Sequence, residues 1–223
     1  MIFTLANVLD ADSLAAIHAD LDALRWTDGT DTAGPSAAAV KRNRQADLSN
    51  RVGVRVRDRL VQAVEGHPVL RAAAQPARFS RPLLSRTERG GGYGLHVDNA
   101  FMESGGNALR TDLSYTLFLS PPGAYEGGAL RIEEAGGTQT LRPEAGSLVL
   151  YAFTSLHAVE PVTHGTRIVC VGWVESRVRD AERREILFDL ENLAATLGGT
   201  FGPQTMESLT LAKVIANLRR TFS

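Results

Sequence analysis

The apolar positions in the first third of the chain recur at helical spacing. A first helix, which Asp10 or Asp12 can cap, is predicted by Leu14, Ile17, Leu21 and Leu24. A second helix, ending near Gly66-His67-Pro68, is predicted by Val52, Val56, Leu60 and Val64. Helical spacing returns after Arg177, where Gly198-Gly199 is expected to stop a helix with one apolar face formed by Ile186, Leu190, Leu193 and Leu197. A final short helix is predicted by Leu211, Val214, Ile215 and Leu218.

Between these helical regions the apolar residues form short alternating runs that Gly and Pro turns separate. The runs cover residues 79–87, 93–98, 112–120, 129–133, 147–151, 156–162 and 167–175. Many short strands at regular spacing favour an antiparallel sandwich or barrel, and no long helix interrupts them as a parallel α/β sheet would require. The chain is therefore predicted to be mainly β with flanking helices. We divide it into an N-terminal helical segment (1–77), a β core (78–177) and a C-terminal helical segment (178–223).

Composition excludes several classes of protein and site. The 223 residues carry 24 Lys and Arg against 25 Asp and Glu, and this balance gives no reason to expect nucleic-acid or membrane-surface binding. A single cysteine excludes an internal disulfide framework and a cysteine-built zinc site. No apolar run approaches the ~20 residues that span a bilayer, and the N-terminus does not read as a signal peptide, so we expect a cytoplasmic protein. The basic stretch from Lys41 to Arg59 is interpreted as a solvated helix face.

Two of the five histidines stand out as metal ligands. His96 and Asp98 lie in a strand-like run, where residues i and i+2 project from the same face and can bind one ion together. The alternative is a hydrogen-bonded His-Asp pair. His18 and Asp20 have the same spacing, but on a helix these side chains diverge by about 200°, so we interpret His18 as a surface residue.

A third ligand must come from another strand. We favour His157, at a strand start, over His164, which lies in a turn, and over His67, which precedes Pro68 at a helix end. Two histidines and one carboxylate on one side of an ion suit non-haem Fe(II), which needs open positions for a cosubstrate and oxygen.

Arg167 leads the face of a strand whose other members, Val169, Val171 and Trp173, are apolar. A buried guanidinium needs an anionic partner, and its fork matches a carboxylate bidentately. We interpret Arg167 as the ligand of the distal carboxylate of a dicarboxylic cosubstrate. The alternative is a salt bridge to Glu160 or Glu175.

These residues and their surroundings resemble the Fe(II)/2-oxoglutarate dioxygenase superfamily, and most closely the bacterial PKHD-type hydroxylases (the PiuC-like and YbiX-like proteins tied to iron uptake). The segments that carry the resemblance are 94–100, 110–120, 125–128 and 155–163, and it extends to the terminal helices and to Thr32-Ala33-Gly34. The resemblance implies a double-stranded β-helix, or jelly-roll, core. It also implies Fe(II) on His96, Asp98 and His157, 2-oxoglutarate on Arg167, O2 as oxidant, and ascorbate as a linked reductant.

Three further positions are candidates for the lining of the pocket. Related sequences carry a tyrosine nine residues before the first ligand histidine, and here that position is Thr87, whose hydroxyl is shorter. Tyr93 matches an aromatic position of the family and either lines the pocket or packs beside it. Asn99 follows the ligand pair directly. The segment Lys41-Arg42-Asn43 also resembles a family stretch, without an assigned role.

We therefore expect a dioxygenase that hydroxylates a small-molecule or peptide substrate, such as a siderophore-related compound, a prolyl residue or a free amino acid. A jelly-roll metal- or ligand-binding protein without oxygenase activity is the alternative from another class. An AlkB-like nucleic-acid demethylase is disfavoured, because that group carries a second arginine where this chain has Trp173. The C-terminal helices could pack on the core or across a homodimer.

Overall fold

The computed structural model describes residues 2–32, 38–104 and 106–223 of the chain. The described residues of the N-terminal third include the α-helices α1 (Ala11–Leu21), α2 (Arg51–Gly66) and α3 (Pro68–Ala74). Asp10 caps α1 by accepting a 2.7 Å hydrogen bond from the Ser13 backbone N–H, and Asn50 caps α2 in the same way. The predicted apolar face of α2 is confirmed, since Val56, Leu60 and Val64 are buried.

The larger of two antiparallel sheets has eight strands. Seven lie in the order β1-β14-β10-β17-β6-β4-β2, and β5 pairs with β17 beside β6. Their bounds are β1 (Ile2–Leu5), β2 (Trp26–Asp28), β4 (Arg44–Ala46), β5 (Pro76–Phe79), β6 (Leu83–Thr87), β10 (Leu113–Phe118), β14 (Leu148–Ala152) and β17 (Arg167–Ser176).

The smaller sheet has five strands in the order β13-β12-β15-β7-β3. These are β3 (Lys41–Arg42), β7 (Gly92–His96), β12 (Leu130–Glu134), β13 (Gly137–Leu141) and β15 (His157–Val159). Two further antiparallel pairs complete the strands: β8 (Phe101–Ser104) with β9 (Asn107–Arg110), and β11 (Tyr125–Gly127) with β16 (Val162–Gly165). The predicted antiparallel β core with flanking helices is confirmed.

Two apolar clusters hold these layers together. The first packs α1, α2 and α3 against one face of the larger sheet, through buried residues such as Ile17, Leu60, Leu84 and Leu117. The second lies on the opposite face and joins the two sheets, with Phe118, Leu130, Ile132, Val149, Tyr151 and Val169. Tyr151 and Val169 also line the pocket that holds the candidate site, so the inter-sheet core and the site are continuous.

The first 77 residues are less helical than expected, because four of their segments add strands to the sheets. β1 pairs with β14, β2 and β4 extend the larger sheet beyond β6, and β3 pairs with β7. The interpretation of Lys41 to Arg59 as a solvated helix face is therefore wrong for its first part. Lys41 and Arg42 form β3, and the Lys41 side chain is buried. Of the family-like segment 32–34, Ala33 and Gly34 lie outside the described residues.

The C-terminal helices also differ from expectation. α4 (Ala181–Phe201) continues through Gly198-Gly199 and ends at Gly202, whose φ of 91° suits only glycine well. Its buried face contains Arg184 and Leu187, whereas Ile186 and Leu193 are each 47% exposed. α5 (Met206–Phe222) packs on α4 through Ile215 and its neighbours. The helical spacing predicted the position of α4 correctly. The face of α4 that is buried, however, lies beside the predicted one.

The strand predictions hold, with finer divisions. Ser80-Arg81-Pro82 separates β5 from β6, and Glu160-Pro161 separates β15 from β16. The sequence patterns did not predict β8, β9, β11 or β13, which are short, polar or glycine-rich. No helix among the described residues is long and apolar enough to cross a membrane.

Candidate metal centre and cosubstrate pocket

His96 and His157 face each other across two neighbouring strands. They are register partners of β7 and β15, and their ring centroids lie 4.2 Å apart. The predicted strand ends at His96, so Asp98 lies two residues beyond β7 rather than within it. Its Oδ1 still lies 3.9 Å from Nε2 of His96 and 3.8 Å from Nε2 of His157. One ligand atom from each of the three residues lies within 4.8 Å of the others, which is close enough for a single ion.

The hydrogen bonds of both histidines leave the metal-facing nitrogen free. Nδ1 of His96 lies 2.8 Å from the Gly94 carbonyl oxygen, and Nδ1 of His157 lies 3.1 Å from that of Ser155. Because a carbonyl only accepts, each Nδ1 must carry the proton, and each Nε2 presents its lone pair. The backbone of each histidine's own strand therefore selects the tautomer that a metal requires.

Asp98 is oriented by two donors from the larger sheet. Its Oδ2 accepts a 2.6 Å hydrogen bond from the Ser114 hydroxyl and a 2.9 Å bond from the Trp173 indole N–H. These bonds satisfy one carboxylate oxygen and leave Oδ1 to face the two histidines. Outer partners of this kind fix ligand geometry and support metal affinity.

Aromatic rings enclose the two histidines. The Tyr93 ring stacks on His96 at 3.5 Å, and Tyr151 meets the edge of His157 at 5.1 Å. Burial and, to a smaller extent, the nearby His157 lower the pKa of His96 to about 4, so His96 is neutral near pH 7. Neutral imidazole is the form that binds metal ions.

Arg167 is a buried cation without an anionic partner among the described residues. Its side chain is 2% exposed, and both Nε and Nη2 are buried without a hydrogen bond. Burial lowers its pKa to about 10, while Tyr125 and Tyr151 nearby oppose that shift. The alternative salt bridge to Glu175 does not form, because that carboxylate binds Arg78 and Arg110, and among the described residues Glu160 forms no ion pair with Arg167. The guanidinium can therefore bind a carboxylate from outside the chain.

The metal ligands and Arg167 line one pocket, with a cavity volume of about 100 Å³. A single small ligand in this pocket could therefore reach both the metal ligands and the guanidinium. Thr87, Tyr93 and Asn99 also line it, and Thr87 is the register partner of Arg167. The wall includes the apolar Val97 and Met102.

The three remaining histidines lie elsewhere. His18 is exposed, and its Nε2 lies 2.8 Å from the Leu119 carbonyl oxygen. His67 caps α3 by accepting from the Leu70 N–H. His164 does not lie in a turn as predicted; it is exposed in strand β16, opposite Glu126.

The sequence did not predict several pocket residues that lie close to the candidate ligands, among them Ser114, Tyr151, Trp173 and Lys41. Trp173 shares the face of Arg167 in β17, so the same alternation could have placed it in the pocket. Lys41, Asn43 and Gln45 alternate in the same way, and all three line the pocket. Burial lowers the pKa of Lys41 to about 8, and its Nζ lies 5.5 Å from the centre of the Tyr93 ring.

Comparison with known proteins agrees with this geometry. The sequence profile of the 2OG-Fe(II) oxygenase superfamily matches residues 82–175, which include the three candidate ligands and Arg167. A PKHD-type hydroxylase of Hyphomonas neptunium is 52% identical over 217 residues, covering 97% of each chain.

Solved structures resemble the fold at low sequence identity. A Pseudomonas putida prolyl-4-hydroxylase superimposes with a TM-score of 0.54 at 21% identity, over 78% of this chain and 92% of its own. A prolyl hydroxylase from Trichoplax adhaerens, solved with a hypoxia-inducible-factor peptide fragment, gives a TM-score of 0.59 at 13% identity, over 83% and 86%. At such identity these likenesses show the fold, which is the predicted jelly roll, while the close relative shows the family. The chain belongs to the PKHD-type hydroxylases of the 2OG-Fe(II) oxygenase superfamily, and is an oxidoreductase that uses Fe(II), 2-oxoglutarate and O2.

Proposed function

We propose that His96, Asp98 and His157 bind the Fe(II) and that Arg167 binds the distal carboxylate of 2-oxoglutarate, for the hydroxylation of a small-molecule or peptide substrate. The observation that carries this assignment is the presence of two complementary sets of binding groups in one pocket. Two Nε2 lone pairs and Asp98 Oδ1 converge at one end, and the Arg167 guanidinium has two unbonded nitrogens in the same pocket. The first set fits a metal ion, and the second fits a carboxylate.

When bound, Fe(II) with 2-oxoglutarate and O2 supplies an oxidation that inserts one oxygen atom into a substrate C–H bond and places the other in succinate, with loss of CO2. The chain's own part is geometry. His96, Asp98 and His157 would hold the ion, and the Asp98 hydrogen bonds to Ser114 and Trp173 keep its free carboxylate oxygen directed at the two histidines.

Tyr151 is our candidate for the tyrosine that Thr87 does not provide. The Tyr151 ring contacts His157, and the residue lines the same pocket. Its hydroxyl is close enough to Arg167 for the positive charge to oppose the rise in the pKa of Tyr151 that burial causes. A ligand that extends from the metal ligands to the guanidinium would therefore pass beside Tyr151. Thr87, opposite Arg167 in register, offers a second hydroxyl at the arginine end.

The substrate class follows from the pocket wall. Val97 and Met102 make part of that wall apolar, and Val97 is 50% exposed, so an organic group with apolar surface can approach the metal ligands from solvent. The peptide-bound structural neighbour is consistent with a peptide as one option. Trp173 occupies the position of the second AlkB-type arginine and is engaged by Asp98, which disfavours a nucleic-acid demethylase. We further propose a cytoplasmic location and ascorbate as the reductant that keeps the iron ferrous.

The test is succinate release from 2-oxoglutarate by the full chain with Fe(II), O2 and a panel of peptide and siderophore-type substrates. His157→Ala should abolish turnover, whereas the matched control His164→Ala, which removes an exposed imidazole, should retain it. The assignment of the third ligand is wrong if the two variants behave in the opposite way. A chain that binds iron and 2-oxoglutarate but releases no succinate, even without substrate, would instead be a non-catalytic binding protein.

A further inference from the structure

A second concave surface, distinct from the catalytic pocket, carries a strong positive charge. This basic groove is lined by the cations Lys41, Arg42, Arg44, Arg86 and Arg89 and by the carboxylates Asp28 and Glu88, together with small and neutral residues. The groove therefore has a formal excess of three positive charges, in a chain whose net charge is only -1. Such a local concentration of one sign attracts anions.

The strand register places like charges side by side in this groove. Arg44 and Arg86 are direct partners in the pairing of β4 with β6, and their side chains project from the same face. Like charges at directly opposed positions destabilise a sheet. Each arginine also has a carboxylate neighbour: Glu88 lies 2.7 Å from Arg86, and Asp28 is the partner of Arg44 in the pairing of β2 with β4. The hydrogen bond of Arg44 to the Trp26 carbonyl oxygen is long, at 3.5 Å. An anion placed between the two guanidinium groups would reduce their mutual repulsion.

Two other arginines of the groove are available for a ligand. Arg42 and Arg89 are exposed, and neither side chain makes a hydrogen bond or an ion pair with any residue that the structure describes. The planar guanidinium fork matches the paired oxygens of carboxylate and phosphate groups. Several such forks around one groove suit a ligand with more than one anionic group.

The groove and the catalytic pocket lie on either side of a single short segment. Lys41 and Asn43 line both, and Lys41 pairs with Tyr93, whose ring stacks on His96. A ligand in the groove would therefore contact the outer side of a wall whose inner side faces the metal ligands.

We propose that the basic groove binds an oligoanion, a compound with two or more carboxylate or phosphate groups, at a site separate from that of 2-oxoglutarate. The site goes beyond the proposed function and does not depend on it. Its ligand is recognised by Arg42, Arg44, Arg86 and Arg89, and binding weakens as salt screens these exposed charges.

The experiment uses the full chain with Fe(II) and 2-oxoglutarate, without oxygen, so that the catalytic pocket is filled. Inorganic pyrophosphate and tricarballylate are titrated separately by calorimetry, which distinguishes a phosphate from a carboxylate ligand. The double variant Arg42→Gln/Arg89→Gln should weaken the binding of the preferred probe at least about tenfold. The matched control Arg177→Gln/Arg179→Gln removes two exposed arginines beyond the far end of β17 and should leave binding unchanged.

Three results would overturn the proposal. The first is equal binding of the probe by the groove variant and the control variant. The second is loss of binding in Arg167→Gln but not in the groove variant, because that result would locate the anion in the catalytic pocket. The third is binding of a single-stranded oligonucleotide but of neither small anion, which would make the groove a nucleic-acid site. Because the Arg42 and Arg89 side chains have no polar partners within the described chain, the variant should keep the wild-type melting temperature. Succinate release, measured in a separate experiment on the same variants with oxygen present, reports on the proposed function.

Discussion

The indole N–H of Trp173 donates a 2.9 Å hydrogen bond to Oδ2 of Asp98, across 75 residues of sequence. This bond joins the two sheets at the metal centre, because Trp173 belongs to β17 of the larger sheet and Asp98 follows β7 of the smaller one. It determines which carboxylate oxygen faces the histidines. The position of the Asp98 carboxylate therefore depends on the larger sheet, which also carries Arg167.

Trp173→Phe should weaken Fe(II) binding about 10- to 100-fold, because it removes one donor to Asp98 while keeping an aromatic ring in place. The dissociation constant can be measured anaerobically by competition with a chromogenic chelator. Trp26→Phe is the matched control, since Trp26 lies on β2, away from the pocket. Unchanged iron affinity in Trp173→Phe would show that Ser114 alone is enough to orient Asp98.

Arg167→Met should separate stability from cosubstrate binding. Removing a buried cation that has no anionic partner among the described residues is expected to raise the free energy of unfolding of the metal-free chain by about 1 kcal/mol or more. The same change should weaken 2-oxoglutarate binding by about 100-fold or more, because the carboxylate loses a bidentate partner, while Fe(II) affinity stays near wild type. Urea unfolding and anaerobic cosubstrate titration measure the two effects. Destabilisation together with loss of iron would instead assign Arg167 a structural role.

Tyr151→Phe tests the proposed replacement for the missing tyrosine. If the hydroxyl contacts the cosubstrate, its removal should raise the KM for 2-oxoglutarate by about tenfold, the size of one hydrogen bond to a charged group. The ring and its contact with His157 remain, so iron affinity should not change. An unchanged KM would contradict this role of Tyr151 and would favour Thr87 as the hydroxyl that contacts the cosubstrate.

Much of this centre could be predicted because its main signals are local. His96 and Asp98 lie two residues apart at the end of a strand, and the face of Arg167 was visible in the alternation of β17. The contacts that complete the centre are not local. Ser114 reaches Asp98 across 16 residues, and Lys41 reaches Tyr93 only because β3 joins the edge of the smaller sheet.

The helical errors have a different physical origin. α4 offers two overlapping apolar faces, and the choice between them depends on α5 and on Arg184, which binds the carbonyl oxygens of Val178 and Arg179. Sequence spacing alone cannot rank two such faces. Gly198-Gly199 likewise suggested an end to the helix, but neither residue has a positive φ, and α4 continues to Phe201.

The metal-free protein should lose stability as the pH falls from about 6.5 to about 4. His96 in the folded chain has a pKa of about 4, mainly because of burial, whereas an unfolded histidine titrates near 6.5. In this window the unfolded chain binds a proton that the folded chain does not, so the free energy of unfolding decreases with falling pH, by up to about 3 kcal/mol. Urea unfolding at several pH values measures the slope, which His96→Asn should reduce. An identical slope in that variant would assign the pH dependence to other groups.

Gly172→Ala and Gly198→Ala should change stability in opposite directions. A Cβ at Gly172 would lie 2.4 Å from the Tyr115 hydroxyl oxygen and within 2.8 Å of two ring carbons, and Tyr115 is itself 3% exposed in the core. Neither the buried Tyr115 side chain nor the β17 backbone can move easily, so we expect a loss of about 1–3 kcal/mol in the free energy of unfolding. Gly198 lies inside α4, where an added Cβ would meet no atom within 4 Å, and alanine there should add about 0.5–1 kcal/mol through helix propensity.

Because Gly172 precedes Trp173 in β17, its variant should also weaken Fe(II) binding, whereas Gly198→Ala should leave it unchanged. Urea unfolding and chelator competition measure both effects, and a stable Gly172→Ala protein with normal iron affinity would show that β17 can shift without moving Trp173.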